Sequence, residues 1–234
     1  MNLCIATPTM HKLVTAGYAK TIAAIGLVCK KHDIAYSMEM VDTAFIVDAR
    51  NKLVELFLAK PERTHLLMID SDSELGFEAC EKLITCGYPF ASLPFPMRQI
   101  DLLNLFVMGI QNTEHFMARS RYSFDNALAA SLTWCVDLGD KEVSVENGWV
   151  KARRTGFGCV LLERGLLEAF PSSWFDRVYE GGTWLSEDMS FCERVKNFAR
   201  PMLCIDQLTL HNGTFSFGAR LIDDQRYFRR EPEL

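Results

Sequence analysis

Two carboxylates one residue apart, Asp70 and Asp72 around Ser71, end an apolar run that starts at Thr64. A buried strand cannot leave two like charges bare at its end; each must be solvated, paired or bound to a cation. Oxygen donors at this spacing suit a hard divalent ion, Mn²⁺ or Mg²⁺, which keeps coordination positions for substrate phosphates. The plain alternative is that Asp72 or Ser73 caps a helix starting near Leu75. A second acidic constellation is Ser186-Glu187-Asp188. Ser186 is a good helix N-cap, and acids in a first turn suit the helix dipole. Asp188 also shares a helix face with Cys192 and Val195, at i+4 and i+7, so its carboxylate falls on the side that packs inward. That placement makes Asp188 the candidate general base. Glu187, toward Phe191 and Arg194, is a structural or acceptor-binding partner.

Other residues could serve the same chemistry. Arg50 offers a rigid fork for phosphate or carboxylate, and no acid stands at positions 46 or 54 to absorb it as a surface pair. Gly156-Phe157-Gly158, placed before a segment read as helix, resembles an anion-binding turn. It lacks the G-x-G-x-x-G pattern and a Walker lysine, so its glycines equally serve close approach of backbone to a ligand or to the sheet. His211 follows an apolar run and precedes Asn212-Gly213; it reads as a turn residue or as a metal ligand. Trp184 could stack on a sugar face or simply be buried. Thr7 and Thr9 flank Pro8 and could donate hydrogen bonds to a nucleotide, or act as turn residues.

The elements that must position these groups alternate through the first half. Strands are expected at Leu3–Ala6, Ala35–Met40, Thr64–Ile69 and after Pro89. Helices are expected from Leu13 to His32, from Thr43 to before Pro61, and from Leu75 to Cys86. This alternation is the signature of an α/β fold with a mostly parallel sheet flanked by helices, in which ligands gather outside the carboxyl ends of the strands. Thr7-Pro8-Thr9 and Asp70-Ser71-Asp72 both lie at such ends. The second half is less regular. Residues 94–126 read as connection plus insertion, and Leu132–Leu138 and Val143–Ala152 as strands joined by an acidic turn. Cys159–Phe170 reads as helix, Glu187–Ala199 as helix and Met202–Leu210 as one strand. A charged tail, 223–234, is expected to be peripheral.

The chain has 234 residues, 49% hydrophobic and 24% charged, enough for one domain spanning 1–234 with a two-sided sheet core. Its net charge of −5 disfavours nonspecific nucleic-acid binding. The eight cysteines form no C-x-x-C pair, and no signal peptide or membrane-length apolar run is visible. A reducing, cytoplasmic setting is expected, within a host cell if the source is viral.

Taken in order, Thr7-Pro8-Thr9, Ala49-Arg50-Asn51, the D-x-D at Asp70-Ser71-Asp72, Gly156-Phe157-Gly158, the x-E-D at Ser186-Glu187-Asp188 and a late His211 resemble a nucleotide-sugar-dependent glycosyltransferase of the GT-A, Rossmann-like fold. The strings Leu-Leu-Met-Ile-Asp-Ser-Asp and Glu-Asp-Met-Ser-Phe-Cys look most like small viral and phage members. The resemblance implies a UDP-sugar or related donor, a carbohydrate acceptor and a Mn²⁺ or Mg²⁺ ion. It assigns the metal to Asp72 and His211 and the donor ribose or sugar to Asp70. The base and ribose fall to Thr7 and its strand, and deprotonation of the acceptor, with inversion, to Asp188. A haloacid-dehalogenase-type phosphatase also uses D-x-D but wants Thr or Val where this chain has Glu74. A non-catalytic carbohydrate- or nucleotide-sugar-binding protein of the same fold would need no general base.

Overall fold

The computed structural model describes residues 1–103, 124–139, 143–169, 173–224 and 226–228. Its centre is an eight-stranded mixed sheet. In spatial order the strands are Ala35–Asp42, Asn2–Thr9, His65–Ile69, Cys159–Glu163, Phe90–Ser92, Met202–Cys204, Trp149–Lys151 and Val145–Glu146. The first three are mutually parallel, and Phe90–Ser92 and Met202–Cys204 run the same way. Cys159–Glu163 is the antiparallel strand set between them.

The central strands read as unbroken apolar runs because both faces are covered. Leu3 and Ile5, Leu67 and Ile69, and Cys159 and Leu161 point to the helices Ala16–Lys31 and Phe77–Ile84. Their alternates Cys4 and Ala6, Leu66 and Met68, and Val160 and Leu162 point to the helices Ile46–Leu58, Arg164–Glu168 and Glu187–Val195. A third cluster, around Leu132, Trp134, Val150, Leu203 and Leu221, closes the far end of the sheet.

Several expected elements change. Cys159–Phe170 is not one helix: Cys159–Glu163 is a strand buried through Leu162, followed by the short helix Arg164–Glu168. An apolar run of four residues, Cys159–Leu162, carries no periodicity that separates the two states. Between two neighbouring strands, sheet pairing decides. The expected helix at Leu75 starts at Phe77 with Gly76 as N-cap, and Ser73–Leu75 is a strand paired with Thr209–His211. Neither Asp72 nor Ser73 therefore caps a helix. The helix expected from Thr43 begins at Ile46, and Thr43 instead accepts a hydrogen bond from the Phe45 amide through its own hydroxyl. Met202–Leu210 is two strands, Met202–Cys204 and Thr209–His211. Leu132–Leu138 likewise divides into Leu132–Trp134 and Val136–Asp137, and Val143–Ala152 is a hairpin of Val145–Glu146 and Trp149–Lys151. Most of the expected insertion at 94–126 and of the tail at 223–234 lies outside the described residues. No described helix is long and apolar enough to cross a membrane.

Candidate functional site

Strand direction assembles the site. Asn2–Thr9 and His65–Ile69 are parallel neighbours, with Ala6 opposite Met68, so Asp70-Ser71-Asp72 leaves the sheet beside Thr7-Pro8-Thr9, which stays paired with Met40–Asp42. Because Cys159–Glu163 is antiparallel, its first residue sits opposite Ile69, and the Gly156-Phe157-Gly158 turn arrives at the same edge. Two bonds fasten that turn to the acidic loop. The Asp70 amide donates to the Gly158 carbonyl at 3.0 Å, and the Ser73 hydroxyl donates to the same oxygen at 2.9 Å. Pairing of His211 with Ser73 brings the late histidine to the loop, and the Asn212 amide donates to the Asp72 carbonyl at 2.8 Å.

A cavity of about 150 Å³ opens where these elements meet. Arg50, Asp70, Gly156, Phe157, Gly158, Asp188 and His211 line it, together with Ser73, Phe95, Pro96, Met97 and Cys135. Residues spread from position 50 to 211 thus share one wall. A larger open groove of about 680 Å³, between Lys20, Glu74 and Arg220, holds none of the candidate residues.

Arg50 is the electrostatic hub. It is 3% exposed. Its Nη1 donates to Glu187 Oε1 at 2.7 Å and its Nη2 to Asp70 at 3.3 Å, tying the two acidic motifs together. The guanidinium lies over the rings of Phe157 and Phe175, at 5.5 and 5.9 Å, and its Nε has no partner. Burial disfavours its charge, yet the surrounding carboxylates Asp70, Glu187 and Asp188 hold its pKa above the ordinary value. Asp70 shifts upward, because burial, helped by the charge of Asp72, outweighs Arg50. Glu187 is held in a buried ion pair with Arg50. Phe157, 1% exposed, packs edge-on against Phe175 and Phe191 as the floor beneath Arg50.

Asp188 stands at the head of the helix Glu187–Val195, 8% exposed, with Cys192 and Val195 buried below it as the spacing required. Its Oδ1 accepts from the Ser186 hydroxyl and from the Met189 amide, the latter at 2.7 Å. Ser186 spends its hydroxyl on this carboxylate and caps no backbone amide. Oδ2 faces the cavity, where the Cys135 thiol donates to it over 3.9 Å. Burial and the nearby Asp188 charge push that thiol up to about 12. A Cβ on Gly156 would come within 2.9 Å of Cys135 Sγ and 3.5 Å of Asp188 Oδ2, so glycine keeps this corner open.

Asp72 faces His211 and Arg98. His211 Nδ1 lies 2.9 Å from the Pro96 carbonyl, which accepts its proton and leaves Nε2 aimed at Asp72 Oδ2, 3.5 Å away. Arg98 Nη2 donates to the same oxygen. Burial alone would raise the Asp72 carboxyl, but His211 and Arg98 hold it below its ordinary value. His211 is raised in turn, Asp72 and the Pro96 carbonyl outweighing burial. Asp72 Oδ1 is buried with no partner. An orphaned carboxylate oxygen beside an imidazole nitrogen whose ring is fixed by the Pro96 carbonyl is a donor set that fits a divalent cation. Among the described residues no group of three such side chains converges, so water or substrate oxygens would have to complete the shell.

Thr7, Pro8, Thr9 and Trp184 do not reach the cavity, and Ser71, Asp72 and Glu187 are not among the residues that line it. The Thr7 hydroxyl is buried against Tyr18 Oη at 2.7 Å, and Thr9 bonds Val41 and Asp42. Pro8 stays in the sheet between them, opposite Val41. Trp184, 61% exposed, packs at a tilt against Tyr179, ring centroids 5.3 Å apart, in the hairpin Val178–Glu180 and Thr183–Leu185, with Arg177 over its ring. Sequence reasoning missed Arg98 and Cys135. Arg98 sits in a stretch without periodicity, where a cation just after Pro96 was the one available signal. Cys135 gave none.

No protein-family model matches the sequence, and no curated protein is similar to it. Among solved structures, the chain is similar to A197 from STIV, with a TM-score of 0.54 and 16% identity over 91% of this chain and 86% of that one. It is more loosely similar to a glycosyltransferase involved in the glycosylation of the major capsid of PBCV-1, with a TM-score of 0.35 and 11% identity over 74% and 72% of the two chains. The likeness to A197 shows the fold: an α/β architecture with a mixed central sheet flanked by helices.

Proposed function

We propose that this protein transfers a sugar from a nucleoside-diphosphate sugar, UDP-sugars foremost, to an acceptor hydroxyl. The observation that carries this reading is the single cavity in which a carboxylate oxygen with room beside it, Asp188 Oδ2, faces the Asp70–Arg50 pair and His211. Its volume, below the roughly 300–1,000 Å³ of pockets that enclose drug-sized ligands, suits the reacting ends of two substrates.

The chemistry follows from charge. Asp70, Glu187 and Asp188 surround one buried guanidinium, so the interior carries more negative than positive charge. A diphosphate would be repelled there unless a cation accompanies it. Asp72 and His211 are the residues that would hold Mn²⁺ or Mg²⁺, which supplies charge stabilisation for the departing diphosphate. Asp188 Oδ2 takes the proton of the acceptor hydroxyl as its oxygen attacks the anomeric carbon. The bond to the diphosphate oxygen breaks as the new glycosidic bond forms, and a single in-line displacement inverts the configuration. Asp188 is oriented for this by Ser186 and the Met189 amide. Arg50 fixes Asp70 and the Glu187 helix head in one frame. Trp184 and Tyr179, outside the cavity near the same helix, are a surface on which an acceptor sugar can stack.

A thermal-shift panel of sugar nucleotides with Mn²⁺ tests the reading, since a ligand at 100 times its Kd adds about 2.7 kcal/mol to apparent stability. One sugar nucleotide should raise Tm only with Mn²⁺, and Asp72→Ala should remove the shift. An unchanged shift in Asp72→Ala, or no shift with any donor, would reject it.

A further inference from the structure

We infer that Arg98 is a built-in counterion of Asp72, displaced when a divalent cation binds and then free to grip the diphosphate of the sugar nucleotide. This rests on the donor-and-cation reading above. Arg98 Nη2 and His211 Nε2 converge on one oxygen, Asp72 Oδ2, while Oδ1 is buried and unused. A cation drawn to Asp72 and His211 meets the guanidinium at that carboxylate, and the two positive charges compete for it. Arg98 is the cation that can yield. Its side chain is 42% exposed, whereas the Arg50 side chain is 4% exposed and bound by two acids.

The path for movement is open. The Arg98 side chain lies along Gly213, where a Cβ would come within 3.2 Å of its Cδ. Glycine leaves that surface flat. Pro96 and Met97, just before Arg98, line the cavity, so a guanidinium released from Asp72 remains at its rim. A planar fork of N–H donors at that place matches phosphate oxygens, and a doubly charged diphosphate is a stronger partner than a shared carboxylate. The pairing seen with Asp72 is thus the resting arrangement of a group whose working partner is the substrate.

Calorimetric titration of the full-length chain separates the two roles, because they move affinity in opposite directions. Titrated with MnCl₂ alone, Arg98→Ala should bind Mn²⁺ about two- to fivefold more tightly than the wild type, the worth of removing a half-exposed ion pair as competitor. Titrated with UDP at saturating Mn²⁺, the same variant should bind about ten- to a hundredfold more weakly, through loss of charge-assisted hydrogen bonds. Arg98→Lys, which keeps the charge without the fork, should leave Mn²⁺ binding near wild type and give an intermediate UDP affinity. Wild-type binding of both probes with Mn²⁺ affinity unchanged or weakened in Arg98→Ala would overturn the inference while leaving the donor reading intact. UDP affinity unchanged in that variant would do the same. Failure of the wild type to bind Mn²⁺ and UDP at all would overturn both.

Discussion

Replacing Arg50 by methionine removes the positive charge around which the site is folded while keeping an apolar stem against Phe157 and Phe175. The guanidinium is held 2.7 Å from Glu187 and 3.3 Å from Asp70, and only 3% of the residue is exposed. Without it, two carboxylates lose their partner, with Asp188 and Asp72 adding repulsion. Breaking a buried ion pair from one side costs about 3–5 kcal/mol, because the stranded charge stays desolvated. For a domain of this size each kcal/mol moves Tm by about 2–4 °C, so Arg50→Met should melt roughly 6–20 °C below the wild type at neutral pH. Glu187→Gln in the same background removes one stranded charge and should return part of that loss. A double-mutant cycle should then give a coupling of about 1–3 kcal/mol. Thermal denaturation followed by circular dichroism measures all four proteins. A Tm for Arg50→Met within about 2 °C of wild type, or costs that simply add, would refute the charge-hub argument.

Two further substitutions probe independent parts of the site. Gly156→Ala places a methyl 2.9 Å from Cys135 Sγ and beside Asp188 Oδ2, so initial-rate kinetics should show turnover falling at least tenfold with donor affinity kept; wild-type turnover would mean the acceptor lies elsewhere. Glu193, on the Asp188 helix, accepts from Arg154 at 2.6 Å; burial would raise its pKa, but Arg154 and Lys196 hold it at about 2. Its native-state pKa lies below the unfolded value, so its stabilisation is full above about pH 4.5 and disappears as pH falls toward 2. Glu193→Gln should therefore cost about 1–2 kcal/mol at pH 7 in urea melts, shrinking toward zero near pH 2; a pH-independent cost would contradict the pair.

How much of this was legible in the sequence depended on what each residue would cost elsewhere. Asp70, Asp72 and Asp188 stood out because a carboxylate bordering an apolar strand or facing a helix core demands a partner. The structure brings these three to one sheet edge with His211. The first three strands and the helices between them were equally readable, since short strand-like runs bounded by turn residues alternate with longer segments of helical period. Cys159–Glu163 was not, because its four buried residues, Cys159–Leu162, are all apolar and look like any buried segment. That misreading hid the reason Gly156-Phe157-Gly158 reaches the site: the strand after it runs antiparallel. Thr7 lies at the end of its strand as expected, with its hydroxyl bonded to the buried Tyr18, a partner that no local pattern announces. Arg98 and Cys135 entered through the pairing of Pro96–Ile100 with Leu132–Trp134, a long-range contact that no local pattern announces.

The most direct test of the central claim is nucleoside-diphosphate release. The wild-type protein, given its stabilising sugar nucleotide, Mn²⁺ and an acceptor glycan, should release nucleoside diphosphate with formation of an inverted glycoside. Asp188→Asn should bind the donor as well as wild type and release at least a hundredfold less, the worth of a positioned base. Release by Asp188→Asn at the wild-type rate, or a product of retained configuration, would contradict the account.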